Sequence, residues 1–307
     1  MQLIVTGASG FIGRNVLLQA PREWAITAVY NNTPLEPFLA QHRLSNVRAV
    51  RCDLLDRAAV QEFARSVGRA DAVLHLAANG DPALSATQPA QDLAQNTTAL
   101  VNFLDHCRSG HVVYVSSGAV YDRLQGPVSP ATPVSPRLPY AISKLASEQY
   151  LRFFCESRAS VESFVNVRFF GAYGPYEAPR KITTRWLSAV AAGQREFVIR
   201  GNGENLIDFM YVDDAVRGFL ALVQASGERT TVDFASGTPV TVNQVVKTMA
   251  DTCGVTVQVR HEGHTEEFIE FHSVDRTMSE RFGFTPIVPL ADGLARLRDH
   301  LRAPANA

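Results

Sequence analysis

Residues 6–13 read Thr6-Gly7-Ala8-Ser9-Gly10-Phe11-Ile12-Gly13 and lie between an apolar run at 2–5 and an amphipathic segment at 11–20. A glycine-rich turn that joins a first strand to a first helix suits a dinucleotide pyrophosphate. Gly7 permits the tight turn, Gly10 lets the backbone approach the phosphates, and Gly13 allows the helix to pack closely on the strand. The free N–H groups of the helix N-terminus then face the anion. This order of strand, turn and helix favours a cofactor site over an ordinary turn.

The composition indicates a folded protein with no polyanionic partner. The chain has 307 residues, 46% of them hydrophobic, and a formal net charge of −1 at pH 7, which argues against nucleic-acid binding. No apolar run reaches the ~20 residues that cross a bilayer, and we see no signal peptide. The four cysteines are scattered without metal-ligand spacing, which favours buried thiols in a reducing compartment and predicts no metal site. We therefore expect a cytoplasmic protein without a membrane partner.

Apolar runs alternate with helix-period segments along the first half of the chain. This order predicts an α/β fold with a doubly wound parallel sheet of Rossmann type, whose ligands bind beyond the carboxyl ends of the strands. The predicted strands are 2–5, 25–30, 47–51, 72–76, 112–116 and 163–169. The predicted helices are 11–20, 35–43, 57–67, 90–108 and 140–158.

After about residue 170 the pattern is less regular. The predicted elements there are a helix at 181–192, strands at 196–200 and 205–212, a helix at 214–224 capped by Asp213, a last sheet strand at 231–235, and further segments at 241–253, 255–260 and 290–301. We expect residues 1–170, with 205–236 returning to the sheet, to form a dinucleotide-binding domain. Residues 171–204 and 237–307 are expected to form a smaller, interleaved C-terminal α/β lobe that covers the reactive end of the cofactor.

Two of the predicted helices, 90–108 and 140–158, are long and carry apolar residues on more than one face. A helix that is apolar over most of its circumference is covered by something beyond its own sheet. A second copy of the chain is the favoured cover, so we predict a homodimer through these helices. Burial under the C-terminal segment is the alternative.

Tyr140 and Lys144 are spaced i, i+4 at a helix start, so one helical face carries both side chains. A nearby ammonium and the helix N-terminus both stabilise a phenolate, so we expect the pKa of Tyr140 to fall towards that of a general acid/base. Prolines at every third position from 127 to 139 favour a stiff polyproline II segment that leads into Tyr140, rather than a ligand for a proline-reading module.

Ser116-Ser117 ends the fifth predicted strand, where a hydroxyl could hold a substrate oxygen beside the tyrosine. Each feature alone has an ordinary alternative: a serine that ends a strand, or a surface tyrosine beside a solvated lysine. Their order along the chain, with the glycine-rich turn first, favours a catalytic set of Ser117, Tyr140 and Lys144.

Eight segments, in order along nearly the whole chain, match one family. They are 6–13, 52–54, 74–78 (Leu-His-Leu-Ala-Ala), 96–97, 114–121 (Tyr-Val-Ser-Ser-Gly-Ala-Val-Tyr), 139–148 (Pro-Tyr-Ala-Ile-Ser-Lys-Leu-Ala-Ser-Glu), 167–175 and 208–213. The chain resembles the extended short-chain dehydrogenases/reductases of the NAD-dependent epimerase/dehydratase family. Members of that family act mostly on nucleoside-diphosphate sugars by hydride transfer at a ring carbon.

The resemblance implies roles at the matching positions. Tyr140 would be the acid/base, Lys144 its partner that also holds the nicotinamide ribose, and Ser117 the active hydroxyl. The expected cofactor-binding residues are Gly7, Ser9, Gly10, Phe11, Ile12, Gly13, Arg14, Asn31, Asn32, Asp53, Leu54, Leu76, Ala77, Ala78, Asn96, Tyr140, Lys144 and Phe170. The expected substrate-binding residues are Ser117, Gly171, Arg180 and Arg185.

Departures from the family narrow the reaction and the cofactor. Dehydratases that resemble this chain place an Asp-Glu pair just after the active hydroxyl, and Gly118 and Ala119 stand there instead, which argues against dehydration. Residues 29–32 read Val-Tyr-Asn-Asn and lack the acid that usually binds the ribose of NAD. That absence permits NADP, so we expect NAD(P) with a slight preference for NADP, and Arg14 is the nearest cation for a 2′-phosphate.

Two substrate-side positions also differ from the family. Gly171 and Ile207 replace an asparagine and an arginine that tend to meet the substrate diphosphate in relatives. Arg180, Lys181 and Arg185 could supply positive charge instead, or they could form a solvated helix face.

These features predict an NAD(P)-dependent oxidoreductase that acts on a sugar nucleotide, with reduction of a 4-keto sugar favoured. An NAD-dependent sugar-nucleotide epimerase is the alternative within the family. A non-catalytic cofactor-binding sensor or assembly protein is the alternative of another class. Relatives that have lost catalysis usually lose the serine, tyrosine or lysine, and this chain has all three.

Overall fold

The structure, a computed structural model, describes residues 1–264 and 269–303. Its strands are β1 (Gln2–Thr6), β2 (Ala25–Tyr30), β3 (Val47–Arg51), β4 (Ala70–His75), β5 (Ser109–Ser117), β6 (Gln125–Val128), β7 (Val161–Phe169), β8 (Ala172–Tyr173), β9 (Glu196–Arg200), β10 (Leu206–Ile207), β11 (Met210–Tyr211), β12 (Arg229–Phe234), β13 (Val240–Thr241), β14 (Gln258–Glu262) and β15 (Glu270–Ser273). Its α-helices are α1 (Phe11–Gln19), α2 (Glu36–Gln41), α3 (Arg57–Val67), α4 (Pro82–Thr87), α5 (Pro89–Leu93), α6 (Ala99–His106), α7 (Pro139–Phe153), α8 (Ile182–Ala191), α9 (Val212–Gln224), α10 (Val242–Cys253), α11 (Thr277–Glu280) and α12 (Leu290–Arg302).

The centre of the fold is a seven-stranded sheet in the order β12-β7-β5-β4-β1-β2-β3, and every neighbouring pair in it is parallel. The chain builds β1, β2 and β3 to one side and then returns to place β4, β5 and β7 on the other side. The strand order therefore reverses between β1 and β4, which opens a crevice at the carboxyl ends of these strands. The predicted doubly wound parallel sheet is confirmed.

Two apolar layers cover the sheet. The layer that holds Val16 and Phe219 packs α1 and α9 against it, and the layer that holds Phe103 and Phe154 packs α3, α6 and α7 against the other face. Strands that are buried on both faces need apolar side chains throughout, which is the pattern that the sequence showed. Each large apolar side chain buried in this way contributes roughly 1.5–3 kcal/mol.

Short two-stranded pairs and three packed helices make up the C-terminal region. The pairs are β9 with β14, β10 with β13, β8 with β11 and β6 with β15, and helices α8, α10 and α12 pack on one another. Strand β12 leaves this region and pairs in parallel with β7 at the edge of the central sheet.

The predicted strand at 205–212 is interrupted, since β10 and β11 join different pairs. Asp208 lies between them, buried, and accepts a hydrogen bond from the Ser236 backbone N–H at 2.6 Å. Asp213 was predicted to be the N-cap of a helix that begins at residue 214. Helix α9 instead begins at Val212, and Tyr211 is its N-cap. Asp213 therefore lies inside the first turn, where a carboxylate still interacts well with the helix dipole.

The predicted helix at 90–108 contains a π-helical turn at Ala94–Thr98, between α5 and α6. The wider turn brings Asn96 and Thr97 to α7, where their side chains hydrogen-bond to the Ser143 hydroxyl and carbonyl, each at 2.9 Å. The predicted helix at 140–158 likewise ends in a π-helical turn, at Phe154–Arg158.

The apolar residues of the two predicted helices at 90–108 and 140–158 are partly buried and partly exposed. The main packing partners of α7 are α4, α5, α6, β5 and β7, so the C-terminal region is not its principal cover. Four large apolar side chains stay exposed by 43–49%: Leu93, Ile142, Tyr150 and Phe153.

The proline-rich lead-in differs from the prediction at its start, because Pro127 lies within β6 and that strand pairs with β15. Its end is held by Asp122, whose carboxylate accepts the backbone N–H groups of Arg137 and Leu138 at 2.9 and 3.2 Å. Within the described residues, no helix combines the length and the apolarity of a membrane span.

Candidate active site

The glycine-rich turn has the close contacts that the sequence predicted. Gly7 has a φ of +64°, and a Cβ there would lie 2.7 Å from the backbone N of Ala77. A Cβ on Gly13 would lie 2.6 Å from the Cα of Ala8, so this glycine allows α1 to sit on the turn. Gly10 is the N-cap of α1 and supplies no side-chain cap, which leaves the first N–H groups of the helix free for an anion. The turn therefore fits a dinucleotide pyrophosphate.

Two adjoining cavities open along the carboxyl ends of the strands, and Gly7, Gly10, Leu76 and Ala78 line both. The cavity on the side of β2 and β3, of about 580 Å3, is called the outer cavity. The cavity on the side of β5 and β7, of about 720 Å3, is called the inner cavity. Together they form a continuous groove that an extended dinucleotide could occupy across the crevice.

Most of the expected cofactor-binding residues line this groove. In addition to the shared four, the outer cavity is lined by Ser9, Asn31, Asn32, Asp53, Leu54 and Ala77. The inner cavity is lined by Phe11, Ile12, Gly13, Tyr140, Lys144 and Phe170. The outer cavity is also lined by residues outside the expected cofactor-binding set, namely Val29, Tyr30, Thr33, Cys52, Leu55, Gln95 and Ala99.

Arg14 and Asn96 are not among the residues that line either cavity. The Arg14 guanidinium packs on the rings of Phe38 and Tyr176, with its Cζ 5.4 and 5.6 Å from the ring centres. Asn96 is fully buried and accepts the Asn79 backbone N–H at 2.7 Å. The structure thus places Arg14 behind the groove and gives Asn96 a role in holding the loop after β4.

Ser117, Tyr140 and Lys144 meet at the wall of the inner cavity. Ser117 ends β5, and its hydroxyl faces the Tyr140 phenol. Tyr140 lies in the first turn of α7 and donates its backbone N–H to the Ser85 hydroxyl at 3.1 Å. The Lys144 ammonium donates to the Val115 carbonyl at 2.9 Å and lies 5.8 Å from the centre of the Tyr140 ring.

Burial has the largest effect on the pKa values of Tyr140 and Lys144. It lowers the pKa of Lys144 to about 8, against the opposing charges of Asp92 and Glu148. Burial also raises the pKa of Tyr140, partly offset by the Ser117 hydroxyl. The expected fall in the Tyr140 pKa is therefore not found in this chain, because the ammonium is held at a backbone carbonyl and the phenol is desolvated. At neutral pH Tyr140 holds its proton and is suited to donate it.

A buried polar network, which the sequence analysis missed, lies beside these residues. Arg168 pairs with Glu148 at 3.0 Å, and the Ser116 hydroxyl donates to the same carboxylate at 2.6 Å. Arg168 also donates to the Tyr121 hydroxyl at 3.0 Å, which in turn donates to Asp233 at 2.7 Å. The network joins α7 to β5, β7 and β12, and so fixes the elements that carry Ser117, Tyr140 and Lys144.

Of the expected substrate-binding residues, Ser117, Gly171 and Arg180 line the inner cavity, and Arg185 does not. Arg185 is exposed on α8 and is not among the lining residues. The Arg180 Nε lies 3.2 Å from the Asp81 carboxylate, so its charge is already paired at the cavity rim. Lys181, which the sequence also offered as a cation, does line the cavity.

Glu177 is a further lining residue that the sequence did not indicate. Its carboxylate accepts the hydroxyls of Thr183 and Thr184 at 2.6 and 2.7 Å. Burial raises its pKa, which these two hydrogen bonds oppose. Both threonines lie in the first turn of α8. Their spacing from Glu177 matches no familiar motif, so nothing in the sequence predicted Glu177 at a cavity.

Metal and thiol chemistry have no assembled site within residues 1–264 and 269–303. No group of three or more His, Cys, Asp or Glu side chains there is placed to hold a metal ion. Cys52, Cys107, Cys155 and Cys253 are all free. Burial raises the pKa of Cys52, in the outer cavity, to about 11, so it is a neutral thiol at physiological pH.

Comparison with known proteins gives a consistent result. A family model described as "NAD dependent epimerase/dehydratase family" matches residues 3–233. The dTDP-glucose 4,6-dehydratase of Streptomyces niveus is 28% identical over 313 residues, which are 96% of this chain and 90% of that protein.

Solved structures with the same fold match almost the whole chain. MoeE5 in complex with UDP-glucose and NAD superposes with a TM-score of 0.85 at 27% identity, over 98% of this chain and 99% of that one. The UDP-glucose 4-epimerase of Thermotoga maritima, solved with UDP-glucose, gives a TM-score of 0.87 at 24% identity over the same shares.

Proposed function

Because the chain belongs to the NAD-dependent epimerase/dehydratase family, whose members modify sugar nucleotides, we propose that it is an NAD(P)-dependent reductase of a nucleotide-linked 4-keto sugar. The observation that carries this proposal is the meeting of Ser117, Tyr140 and Lys144 at one cavity wall, next to the glycine-rich turn. The retention of all three side chains, with Tyr140 protonated, argues against a non-catalytic sensor.

A nicotinamide cofactor bound in the groove supplies the hydride. The Ser117 hydroxyl donates a hydrogen bond to the substrate carbonyl oxygen and so orients it beside Tyr140. The raised pKa of Tyr140 keeps its proton available for transfer to the same oxygen as that oxygen becomes an alkoxide. The Lys144 ammonium, 5.8 Å from the ring centre, offsets the negative charge left on the phenol.

The residues after Ser117 favour hydride transfer without elimination. A Cβ on Gly118 would lie 3.1 Å from the Phe170 ring, so an acidic side chain there would require the ring to move. Ala119 lines the inner cavity and offers no acid or base. These contacts support reduction or epimerisation over dehydration, although several curated relatives are named dehydratases.

The cofactor class is NAD(P), and we favour NADP. The outer cavity beyond β2 is lined by the uncharged side chains of Asn31, Asn32 and Thr33, which do not repel a 2′-phosphate. An NAD-dependent epimerase is the second candidate, since the structural neighbours include complexes with NAD.

We also propose that the protein is a homodimer. The exposed apolar side chains Leu93, Ile142, Tyr150 and Phe153 lie on α5 and α7, the segments for which the sequence predicted a second cover. Exposed apolar residues gathered in this way are typical of a subunit interface.

The test of the reaction is NADPH oxidation, followed at 340 nm, with a panel of nucleoside-diphosphate 4-keto sugars. Tyr140→Phe removes the transferable proton, so we expect turnover to fall at least ~100-fold while cofactor affinity stays within about twofold. Tyr150→Phe, an exposed tyrosine on the same helix, is the matched control. Interconversion of UDP-sugars with retained NAD and no net oxidation would favour the epimerase instead.

A further inference from the structure

One cation, Arg51, contacts a residue that lines the outer cavity. Arg51 ends β3, next to Tyr30 in the parallel register of β2. Its Nε donates to the Asn31 carbonyl at 3.2 Å, so the guanidinium is tethered to the segment that follows β2. Arg51 therefore approaches the segment after β2 from the neighbouring strand, β3.

The hydrogen bond to Asn31 uses only Nε of the Arg51 guanidinium. Within residues 1–264 and 269–303, Nη1 and Nη2 of Arg51 make no hydrogen bond or ion pair, and the side chain is exposed. Neither Arg51 nor Arg14 is among the residues that line the outer cavity. The Arg14 guanidinium packs on Phe38 and Tyr176, whereas that of Arg51 is held at the lining residue Asn31. Arg51 is thus the better placed of the two for an anion that enters beside Asn31.

We propose that Arg51 binds the 2′-phosphate of NADP(H) and determines the cofactor preference of this protein. The proposal rests on the proposed function, in which the outer cavity holds the adenosine half of the cofactor. A guanidinium offers paired donors that match phosphate oxygens. The side chains of Asn31, Asn32 and Thr33, which line the same rim, add uncharged donors for the phosphate.

Two negative groups oppose this site, and one of them, Asp53, lines the outer cavity. Glu36, at the start of α2, accepts the Tyr30 hydroxyl at 2.8 Å. Arg51 counteracts the rise in the pKa of Tyr30 that this hydrogen bond causes, so both charges act near the phenol. Glu36 is not among the residues that line the cavity, whereas Tyr30 and Asn31 are. The Arg51 guanidinium is tethered to the Asn31 carbonyl, and we expect its attraction for a phosphate there to exceed the repulsion from Asp53 and Glu36.

The experiment is calorimetric titration of the purified full chain with NADPH, NADH, 2′,5′-ADP and 5′-ADP. Arg51→Gln should weaken NADPH and 2′,5′-ADP about 10- to 100-fold, the range of a charge-assisted hydrogen bond, and leave NADH and 5′-ADP within about twofold. Arg48→Gln, on the same strand and also exposed, is the matched control and should change nothing. Glu36→Gln should strengthen NADPH binding a few-fold, more at low salt.

Three results would overturn the assignment of Arg51: wild-type protein that binds NADH more tightly than NADPH, Arg51→Gln that leaves NADPH affinity unchanged, or Arg51→Gln that weakens both dinucleotides equally. In each case the wild type still binds a nicotinamide dinucleotide, so the proposed NAD(P)-dependent function would stand. A wild type that binds neither dinucleotide would instead reject the proposed function together with this site. Arg51→Lys, which keeps the charge, should retain part of the NADPH preference.

Discussion

Gly7 has both a positive φ and a close backbone contact, and both bear on the proposed cofactor site. Its φ of +64° brings the turn against the backbone of Ala77, at the end of β4 where both cavities meet. Gly254, which follows α10, has nearly the same φ, +65°, in the left-handed region, but a Cβ there would meet nothing within 4 Å. The two glycines therefore separate the cost of the left-handed conformation from the cost of the close approach.

Gly254→Ala should cost about 1–2 kcal/mol, the penalty of a left-handed non-glycine residue. Gly7→Ala should cost about 1–3 kcal/mol more, since its methyl group would overlap the Ala77 backbone, and should abolish NAD(P) binding. Urea unfolding and a cofactor titration of both variants measure these effects. Equal destabilisation with unchanged cofactor affinity would show that the close approach does not matter.

At the residue scale, sequence reasoning succeeded where the signal is local. Gly7, Gly10 and Gly13 follow a strand, and Ser117 and Tyr140 stand at a strand end and a helix start. Arg51 was missed because its partner lies 20 residues away on the next strand. Tyr121 and Asp233, 112 residues apart, meet only once β12 has joined the sheet.

At the scale of elements, Asp233 joins the edge strand of the central sheet to two segments from distant parts of the chain. It lies in β12, accepts the Tyr121 hydroxyl, and also accepts the Ser273 hydroxyl of β15 at 2.7 Å. Burial raises the pKa of Asp233 to about 7, against these two hydrogen bonds. The native state therefore holds a proton that the unfolded chain has lost.

Because the folded pKa is raised, this carboxyl stabilises the protein below pH 4, and that contribution is lost as the pH rises through about 7. Asp233→Asn should remove this dependence, so the stability of the variant relative to wild type should rise by roughly 2–4 kcal/mol between pH 4 and pH 8. Urea unfolding across that range checks it, with the exposed Asp251→Asn as control. Parallel stability curves for Asp233→Asn and wild type would contradict the assignment.

The elements that sequence patterns misplaced share one physical cause. The strand predicted at 205–212 is divided because Asp208 turns inward to the Ser236 N–H, a partner 28 residues further along. The π-helical turn at Ala94–Thr98 forms because Asn96 and Thr97 bond to α7. Apolar periodicity predicts which residues face a core, and it does not reveal where a long-range polar contact interrupts a regular element.

At the scale of the whole molecule, the exposed apolar residues on α5 and α7 carry the proposed dimer. Phe153→Glu combined with Ile142→Glu should give a monomer, because charges placed in an apolar interface lose their hydration without gaining a partner. Light scattering after size-exclusion chromatography measures the mass. Val198→Glu, an equally exposed apolar position on β9, is the control and should leave the dimer intact. A wild type that runs as a monomer would refute the interface.

The whole molecule brings the proposed cofactor groove, Tyr140 and residues of the later part of the chain, such as Arg180 and Lys181, to the switch point of one sheet. The most direct test of this arrangement is transfer of deuterium from NADPH deuterated at the nicotinamide C4 into a nucleoside-diphosphate 4-keto sugar, followed by mass spectrometry. We predict that wild-type protein yields a product one mass unit heavier than that from unlabelled NADPH, and that Tyr140→Phe binds NADPH but forms this product at least ~100-fold more slowly. Cofactor binding without label transfer to any sugar, or label transfer at the wild-type rate in Tyr140→Phe, would contradict the proposed reduction.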